Sequence, residues 1–311
     1  MDYQAYGVVI SSALALPELT PVAGCTPLLT VTMASESAGR DEWDWVQPRP
    51  LAPDDTPDGV WVAVGRRGGR HRLLFDGHGD FVVSAREGRI VADPNSDDPF
   101  TIRHLLIDQV IPRVLGHQGR FVLHAGAFVT PAGAVAIVGR AGAGKSTLSA
   151  SFGLHGMPVI SDDALVVQRM GSELFATPAY PSLRVRPAAL PALAEDRDVP
   201  QGMPPSEKRR FGPADGVRFA DGPAPLRRVY LLQEEPAARI EIRDVSPRDA
   251  VMAVLSHSFI LDVSDRTRLG EHFAAICAAF AGAEVRRLTY PRQFSALPQV
   301  RDAILNDLAR T

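Results

Sequence analysis

The chain has 311 residues, 45% of them hydrophobic and 22% charged, which is enough for one large or two modest globular domains. A formal net charge of −3 at pH 7 excludes the broad basic surface with which proteins bind nucleic acids or anionic membranes. Two cysteines, Cys25 and Cys277, make neither a disulfide framework nor a metal cage, and no apolar run has membrane-spanning length. These features predict a cytoplasmic protein.

The predicted elements fall into two parts. Residues 1–98 contain short apolar or alternating runs separated by Gly, Pro and Asp, which predicts a β-rich domain. Residues 99–115 have the apolar spacing of a helix that must kink or end at Pro112. Residues 120–129 and 134–138 predict a hairpin, and strands alternate with helices from there on. The second domain, residues 99–311, is therefore predicted to be α/β.

Further elements are predicted along the second domain. Residues 178–191 are punctuated by prolines and predict an irregular loop. Strands are predicted at residues 226–233, 239–245 and 284–289. Ser246 is a predicted N-cap, and helices are expected to follow it and at residues 266–281 and 297–308.

The segment between the second strand of the hairpin and the next helix matches the pattern G-x-x-x-x-G-K-[ST] without a mismatch. In such a loop, small residues let backbone N–H groups close around phosphates, a lysine reaches the β- and γ-phosphates, and a hydroxyl holds Mg²⁺. The sequence therefore predicts a phosphate-binding loop for ATP with Mg²⁺. The predicted nucleotide-binding residues are Gly139, Gly142, Ala143, Gly144, Lys145, Ser146 and Thr147.

Lysine usage strengthens this prediction. Of the 33 basic residues, 31 are arginine and only Lys145 and Lys208 are lysine. Lys145 occupies the lysine position of the loop, where a compact ammonium is needed. Lys208 and Arg209 lie in a basic run, which is either a solvated surface cluster or a loop that brings positive charge to a transferred phosphoryl group.

Two further positions predict phosphoryl transfer. Asp162 and Asp163 follow Lys145 by 17 and 18 residues and come directly after a short apolar strand. One of the two carboxylates can hold Mg²⁺ while the other accepts a proton from an attacking hydroxyl. His124 lies in the strand before the loop, where it is either a core histidine or a residue that orients a catalytic carboxylate.

The order of His124, the loop and the Asp162-Asp163 pair resembles the catalytic core of HPr kinase/phosphorylase, whose fold is shared with phosphoenolpyruvate carboxykinase. A looser resemblance extends to stand-alone HPr-kinase-related proteins, including kinases of lasso peptides, through Tyr6-Gly7, residues 180–184 and Tyr290-Pro291. The resemblance implies a P-loop kinase core behind a β-rich N-terminal domain. It also implies a serine acceptor, Asp162 as the base, and Asp163 with Ser146 at Mg²⁺.

The signature segment after the Asp pair in the bifunctional enzymes and their C-terminal Arg-rich motif have no counterpart in this sequence. This departure speaks against phosphorylase activity and against HPr as the substrate, and the predicted acceptor is a serine of a peptide or protein, such as a ribosomally made peptide. A kinase for a small hydroxylated metabolite and a non-catalytic ATP-binding regulator stay open as alternatives. The sequence also leaves open whether the protein is a homo-oligomer.

Overall fold

The computed structural model describes residues 1–34, 43–47, 62–93, 99–140, 142–193, 209–233, 235, 237–280 and 284–310. The chain forms two compact units, one of Met1–Val122 with Ser258–Ala275 and one of Leu123–His257 with Ile276–Thr311. The sequence predicted a boundary between residues 98 and 99, whereas the first unit extends to Val122. The reason is that the helical segment after residue 98 packs on the N-terminal sheet, where the Tyr6 hydroxyl donates to the Ile107 carbonyl at 3.1 Å.

The first unit contains a nine-stranded sheet with the order β3-β1-β2-β4-β9-β8-β7-β6-β5. The pairs β2–β4 and β4–β9 are parallel, and the other neighbours are antiparallel. The β-rich character predicted for this region is confirmed. Its strands are β1 (Asp2–Ala5), β2 (Val8–Ser12), β3 (Thr20–Pro21), β4 (Leu29–Met33), β5 (Asp44–Gln47), β6 (Ala63–Arg67), β7 (Arg70–Phe75), β8 (Gly79–Ser84) and β9 (Arg89–Asp93).

A helical segment follows this sheet and is interrupted before Pro112, as predicted. Helix α1 (Pro99–Leu105) passes into a π-helical turn (Leu106–Val110), and α2 (Ile111–His117) begins one residue before the proline. Proline has no N–H to donate to the carbonyl four residues earlier, so a regular α-helix cannot run through this position.

The second unit contains an eight-stranded mixed sheet with the path β11-β10-β13-β14-β17-β19-β18, with β12 paired to β10. Strand β11 also pairs in parallel with β17, and β17 pairs in parallel with β19. A separate antiparallel ribbon joins β15 and β16. The strands are β10 (Phe121–Thr130), β11 (Gly133–Val138), β12 (Val159–Ser161), β13 (Ala164–Met170), β14 (Glu173–Thr177), β15 (Leu183–Val185), β16 (Arg209–Phe211), β17 (Ala224–Leu232), β18 (Glu241–Asp244) and β19 (Val285–Thr289).

The helices that follow α2 are α3 (Lys145–Leu154), α4 (Leu190–Leu193), α5 (Pro247–Ser256), α6 (Arg266–Phe280) and α7 (Leu297–Leu308). Apolar side chains of α3 and α7 join those of the second sheet in one buried cluster, in which the Phe128 and Phe152 rings stack with centroids 3.9 Å apart. This packing anchors the helix that begins at the glycine loop. Among the described helices, none has both the length and the apolarity needed to cross a membrane.

The predicted α/β class is confirmed, as are the hairpin, the helix after the glycine loop and the N-cap at Ser246, whose hydroxyl accepts from the Asp249 amide at 3.1 Å. The irregular loop predicted at residues 178–191 is wrong in part, because β15 lies within it. Three residues of strand between prolines are too short to show an alternating pattern, and they form because β16 supplies their hydrogen-bond partners.

Candidate active site

The glycine loop, the acidic pair and His124 lie close to Ala125, in the middle of β10. This strand pairs antiparallel with both β11 and β12, so β11 and β12 run in the same direction. Ala125 pairs with Val138, the last residue of β11, and its amide donates to the carbonyl of Asp163, just past β12, at 3.0 Å. The fold thus brings together the start of the glycine loop, the acidic pair and His124, which precedes Ala125.

The glycines of the loop are required by its backbone. Gly142 and Gly144 have φ values of +71° and +94°, in the left-handed region that other residues adopt at a cost. A Cβ on Gly144 would lie 2.7 Å from the Tyr290 hydroxyl, and one on Gly139 would lie 3.0 Å from the Leu232 Cβ. The loop therefore presents main chain rather than side chains, as a phosphate-binding loop must.

Helix α3 begins directly after the loop. Gly144 is its N-cap residue, and the first helical residues are Lys145, Ser146 and Thr147. The free N–H groups of the first turn and the positive end of the helix dipole attract anions to this position. The buried Lys145 ammonium donates to the carbonyls of Gly139 at 2.7 Å and Arg140 at 3.2 Å, so it lies across the loop.

The acidic pair is held by an arginine that the sequence analysis did not assign to the site. The backbone amide of Arg184 donates to Asp162 Oδ2 at 2.9 Å, and the Arg184 Nε lies 3.6 Å from the same oxygen. The Arg184 Nη2 donates to Asp163 Oδ2. Arg184 and Asp162 are both buried, and the Asp163 side chain is 13% exposed. One guanidinium thus balances two adjacent carboxylates, which would otherwise repel each other in a poorly solvated place.

One oxygen of this arrangement is left over. Asp162 Oδ1 is buried and has no hydrogen-bond partner among the described residues. Buried polar atoms are nearly always paired in native proteins, and the exceptions commonly mark functional positions or ion sites. An acceptor oxygen of this kind suits either a proton or a cation.

The residues present fit Mg²⁺. This ion takes oxygen ligands and is usually held by one or two carboxylates together with phosphate oxygens of a substrate. Asp162, Asp163 and the Ser146 hydroxyl are oxygen donors of this class, and the glycine loop follows Val138, which pairs with the same Ala125 whose amide bonds to Asp163. Among the described residues, no group of three or more His, Cys, Asp or Glu side chains is arranged to hold a metal by itself.

The β15–β16 ribbon separates the arginines of the predicted basic run. Arg184 pairs with Arg210 across the ribbon, so their side chains share one face, and Arg209 belongs to the other face. The Arg209 guanidinium lies 4.6 Å from the centre of the Phe211 ring and 3.9 Å from Asp215. Lys208, the other residue predicted for phosphate or substrate, lies outside the described residues.

His124 lies in β10 next to Ala125, and its amide donates to the carbonyl of His257 at 2.7 Å. This histidine therefore lies next to the residue of β10 that pairs with the end of β11 and bonds to Asp163. Its role toward Asp162 stays a prediction.

Comparisons with known proteins find distant likenesses among solved structures. No family model matches the chain, and no curated protein matches it. A solved structure, the Hpr(Ser) kinase/phosphatase from Coxiella burnetii, is 13% identical over 61% of this chain and 93% of its own length, with a TM-score of 0.30. At that identity and TM-score the likeness assigns neither a family nor an activity to this chain.

Proposed function

We propose that this protein is an ATP- and Mg²⁺-dependent kinase that transfers the γ-phosphoryl group to a serine hydroxyl of a peptide or protein. The observation that carries the proposal is the buried Asp162 oxygen that has no hydrogen-bond partner among the described residues, in a segment that follows β12 and lies near the end of β11. A phosphate-binding loop alone fits any nucleoside triphosphate protein. A carboxylate with an unfilled acceptor position beside it supports phosphoryl transfer to a hydroxyl.

The chain's own groups account for the parts that phosphoryl transfer requires. Loop amides and the Lys145 ammonium bind the phosphate chain, and Asp163 and Ser146 supply oxygens for the ion. When bound, Mg²⁺ neutralises charge that develops on the phosphate oxygens. The bond between the γ-phosphorus and the β–γ bridging oxygen breaks as the serine oxygen bonds to phosphorus. ADP leaves, and the hydroxyl proton passes to Asp162.

Proton transfer to Asp162 comes late in this reaction. A serine hydroxyl is a far weaker acid than a carboxylic acid, so a carboxylate does not deprotonate it before attack. In a loose transition state the serine hydroxyl becomes acidic only as its oxygen bonds to phosphorus. A nearby carboxylate is then basic enough to take up the proton. His124 is proposed to orient this carboxylate from the adjacent strand.

The serine and peptide part of the proposal rests on the sequence resemblance around His124, the loop and Asp162-Asp163. It is tested by incubating the protein with ATP, Mg²⁺ and serine-containing peptides, and locating a transferred phosphoryl group by mass spectrometry. A parallel panel of hydroxylated metabolites is the competing arm. We expect phosphoserine in a peptide; transfer to a metabolite alone, or nucleotide binding without any transfer, would contradict the proposal.

A further inference from the structure

Two residues that follow β19, Tyr290 and Arg292, lie close to the glycine loop. Strands β11, β17 and β19 are successive parallel neighbours, so their carboxyl ends lie at the same edge of the sheet. The glycine loop follows β11, Gln233 follows β17, and Tyr290 and Arg292 follow β19. Ligands of sheets with parallel strands bind beyond this edge.

The side chains of Tyr290 and Arg292 stack on each other beside the glycine loop. The Arg292 guanidinium lies over the Tyr290 ring, 4.9 Å from its centre. A Cβ on Gly144 would lie 2.7 Å from the tyrosine hydroxyl and 3.1 Å from Arg292 Nη1. Both side chains therefore lie next to the residue that precedes Lys145, where α3 presents its free amides.

Only part of the hydrogen-bonding capacity of the Arg292 guanidinium is used by the described residues. Its Nη2 donates to the carbonyl of Gln233, the residue that follows β17, and this hydrogen bond helps to fix the position of the guanidinium. Its Nε is buried and has no hydrogen-bond partner among the described residues. A guanidinium has five N–H donors in a planar fork that matches phosphate oxygens, and the side chain is only half-buried, so a ligand can reach it.

The Tyr290 ring is the surface on which the Arg292 guanidinium lies. This ring belongs to the buried cluster under α3, so its position is set by the core. Burial raises the pKa of its hydroxyl, against the opposing charge of Arg292, so this group stays protonated near neutral pH. An arginine on a rigid aromatic ring loses little conformational freedom when it binds an anion.

We infer that Arg292 is a second phosphate-binding cation of the loop, which contacts the nucleotide's phosphate chain beside Lys145. The inference deepens the proposed function and rests on its nucleotide-binding part. A triphosphate carries more negative charge than one lysine balances, and Arg292 is the cation that the fold positions against Gly144 from a distant part of the chain.

The test is the affinity of purified full-length protein for Mg²⁺–ADP and for Mg²⁺–pyrophosphate, by calorimetry. Arg292→Gln should weaken both affinities about tenfold or more, because at least one charge-assisted hydrogen bond is lost. Arg292→Lys keeps the charge but not the fork and should lie between wild type and Gln. The matched control is Arg243→Gln, which removes an exposed arginine of the neighbouring strand β18 and should leave both affinities unchanged.

Each other outcome has a distinct meaning. If Arg292→Gln binds Mg²⁺–ADP within about threefold of wild type, Arg292 only anchors the Gln233 carbonyl and the inference is wrong. If ADP affinity falls but pyrophosphate affinity does not, the contact is to the nucleoside and the phosphate assignment is overturned. An equal loss in Arg243→Gln would show a non-specific charge effect and overturn it too. If wild type binds neither ligand, the proposed function fails first.

Discussion

Two buried clusters of carboxylates and arginines in the second unit are built differently. Asp307, at the end of α7, has both oxygens filled: Oδ2 accepts from Arg228 and from the Tyr230 hydroxyl, and Oδ1 accepts from Arg286 at 2.8 Å. Asp162 has one oxygen filled by Arg184, and the other has no partner in the described chain. A fully paired network stabilises a fold, whereas an unfilled acceptor costs stability and is kept where chemistry needs it.

The surroundings of the two clusters agree with this difference. The Asp307 cluster ties α7 to β17 and β19, and burial together with the bond to Asp307 raises the pKa of Tyr230, which holds its proton in the hydrogen bond. The Asp162 cluster lies where β12 ends and the glycine loop begins. The following predictions separate a stabilising cluster from a reactive one.

The largest expected effect is the loss of phosphoryl transfer in Asp162→Asn. An amide cannot accept the hydroxyl proton, so kcat should fall about 1,000-fold, within the range for a general base. The free energy of unfolding should stay the same or rise, because a buried charge with an unfilled acceptor is removed. Exposed Asp302→Asn is the control for both measurements. Transfer within about tenfold of wild type would show that Asp162 is not the base.

Asp307→Asn should have the opposite profile. Removing this carboxylate leaves buried Arg228 with the exposed Glu284 as its counter-ion, which should lower the free energy of unfolding by about 3 kcal/mol. The kcat of the folded fraction should be unchanged, because the cluster ties α7 to β17 and β19 rather than to the glycine loop or the acidic pair. Urea denaturation followed by circular dichroism measures the loss. A change below about 1 kcal/mol would contradict a stabilising role for the cluster.

A smaller difference is expected between Arg184→Gln and Arg228→Gln in their response to ligand. Arg184→Gln removes the arginine that pairs with Asp162 and Asp163, and Arg228→Gln leaves Asp307 with Arg286 alone, so both variants should melt at lower temperature than wild type. Mg²⁺ bound with ADP can replace the missing charge only at Asp162 and Asp163. The rise in melting temperature on adding Mg²⁺–ADP should therefore be largest in Arg184→Gln. Equal rises in both variants would place the ion away from the acidic pair.

The smallest effect concerns a third buried carboxylate, Asp262 of the first unit. Burial lowers the pKa of His71 below its ordinary value of 6.5, and the hydrogen bond to Asp262 offsets this only in part. As pH falls below 6.5, the unfolded chain takes up this proton before the folded one does. The free energy of unfolding therefore falls, by less than about 1.4 kcal/mol per pH unit for one group.

This pH dependence is measured by urea denaturation at pH 7.5 and pH 5.5. All three tryptophans lie between residues 43 and 61, so their fluorescence reports on the first unit. His71→Gln should show a shallower dependence on pH than wild type. His117 should leave a residual slope, because burial lowers its pKa as well. A slope unchanged by His71→Gln would assign the effect to other groups.

Much of the candidate site was predictable because its signals are local. The loop pattern needs only neighbouring residues, since a left-handed backbone at Gly144 and an ammonium at Lys145 are properties of one short segment. Asp162 and Asp163 were predictable because they directly follow a strand, and carboxyl ends of strands that run in the same direction meet at one edge. His124 followed from its place in the hairpin.

Arg184 and Arg292 were not predictable in these roles, because each acts on residues far away in the chain. The sequence has 31 arginines, and no local pattern distinguishes Arg184, which pairs with Asp162, 22 residues earlier, from the others. The strand that carries Arg184 is three residues long and exists only because β16 pairs with it. Such positions are set by strand register and packing, which single-sequence patterns do not encode.

The sequence by itself determined the α/β class, the glycine loop, the acidic pair and the order in which the loop and the pair follow His124. Local backbone requirements and apolar periodicity are written in neighbouring residues. The tertiary structure decided which arginine balances the acidic pair, which face of the β15–β16 ribbon Arg210 shares, and that Tyr290 and Arg292 close on Gly144. Those contacts join segments more than 20 residues apart. Strand pairing within the second sheet brings Tyr290 and Arg292 to the loop, whereas the packing of the separate β15–β16 ribbon brings Arg184 to the acidic pair.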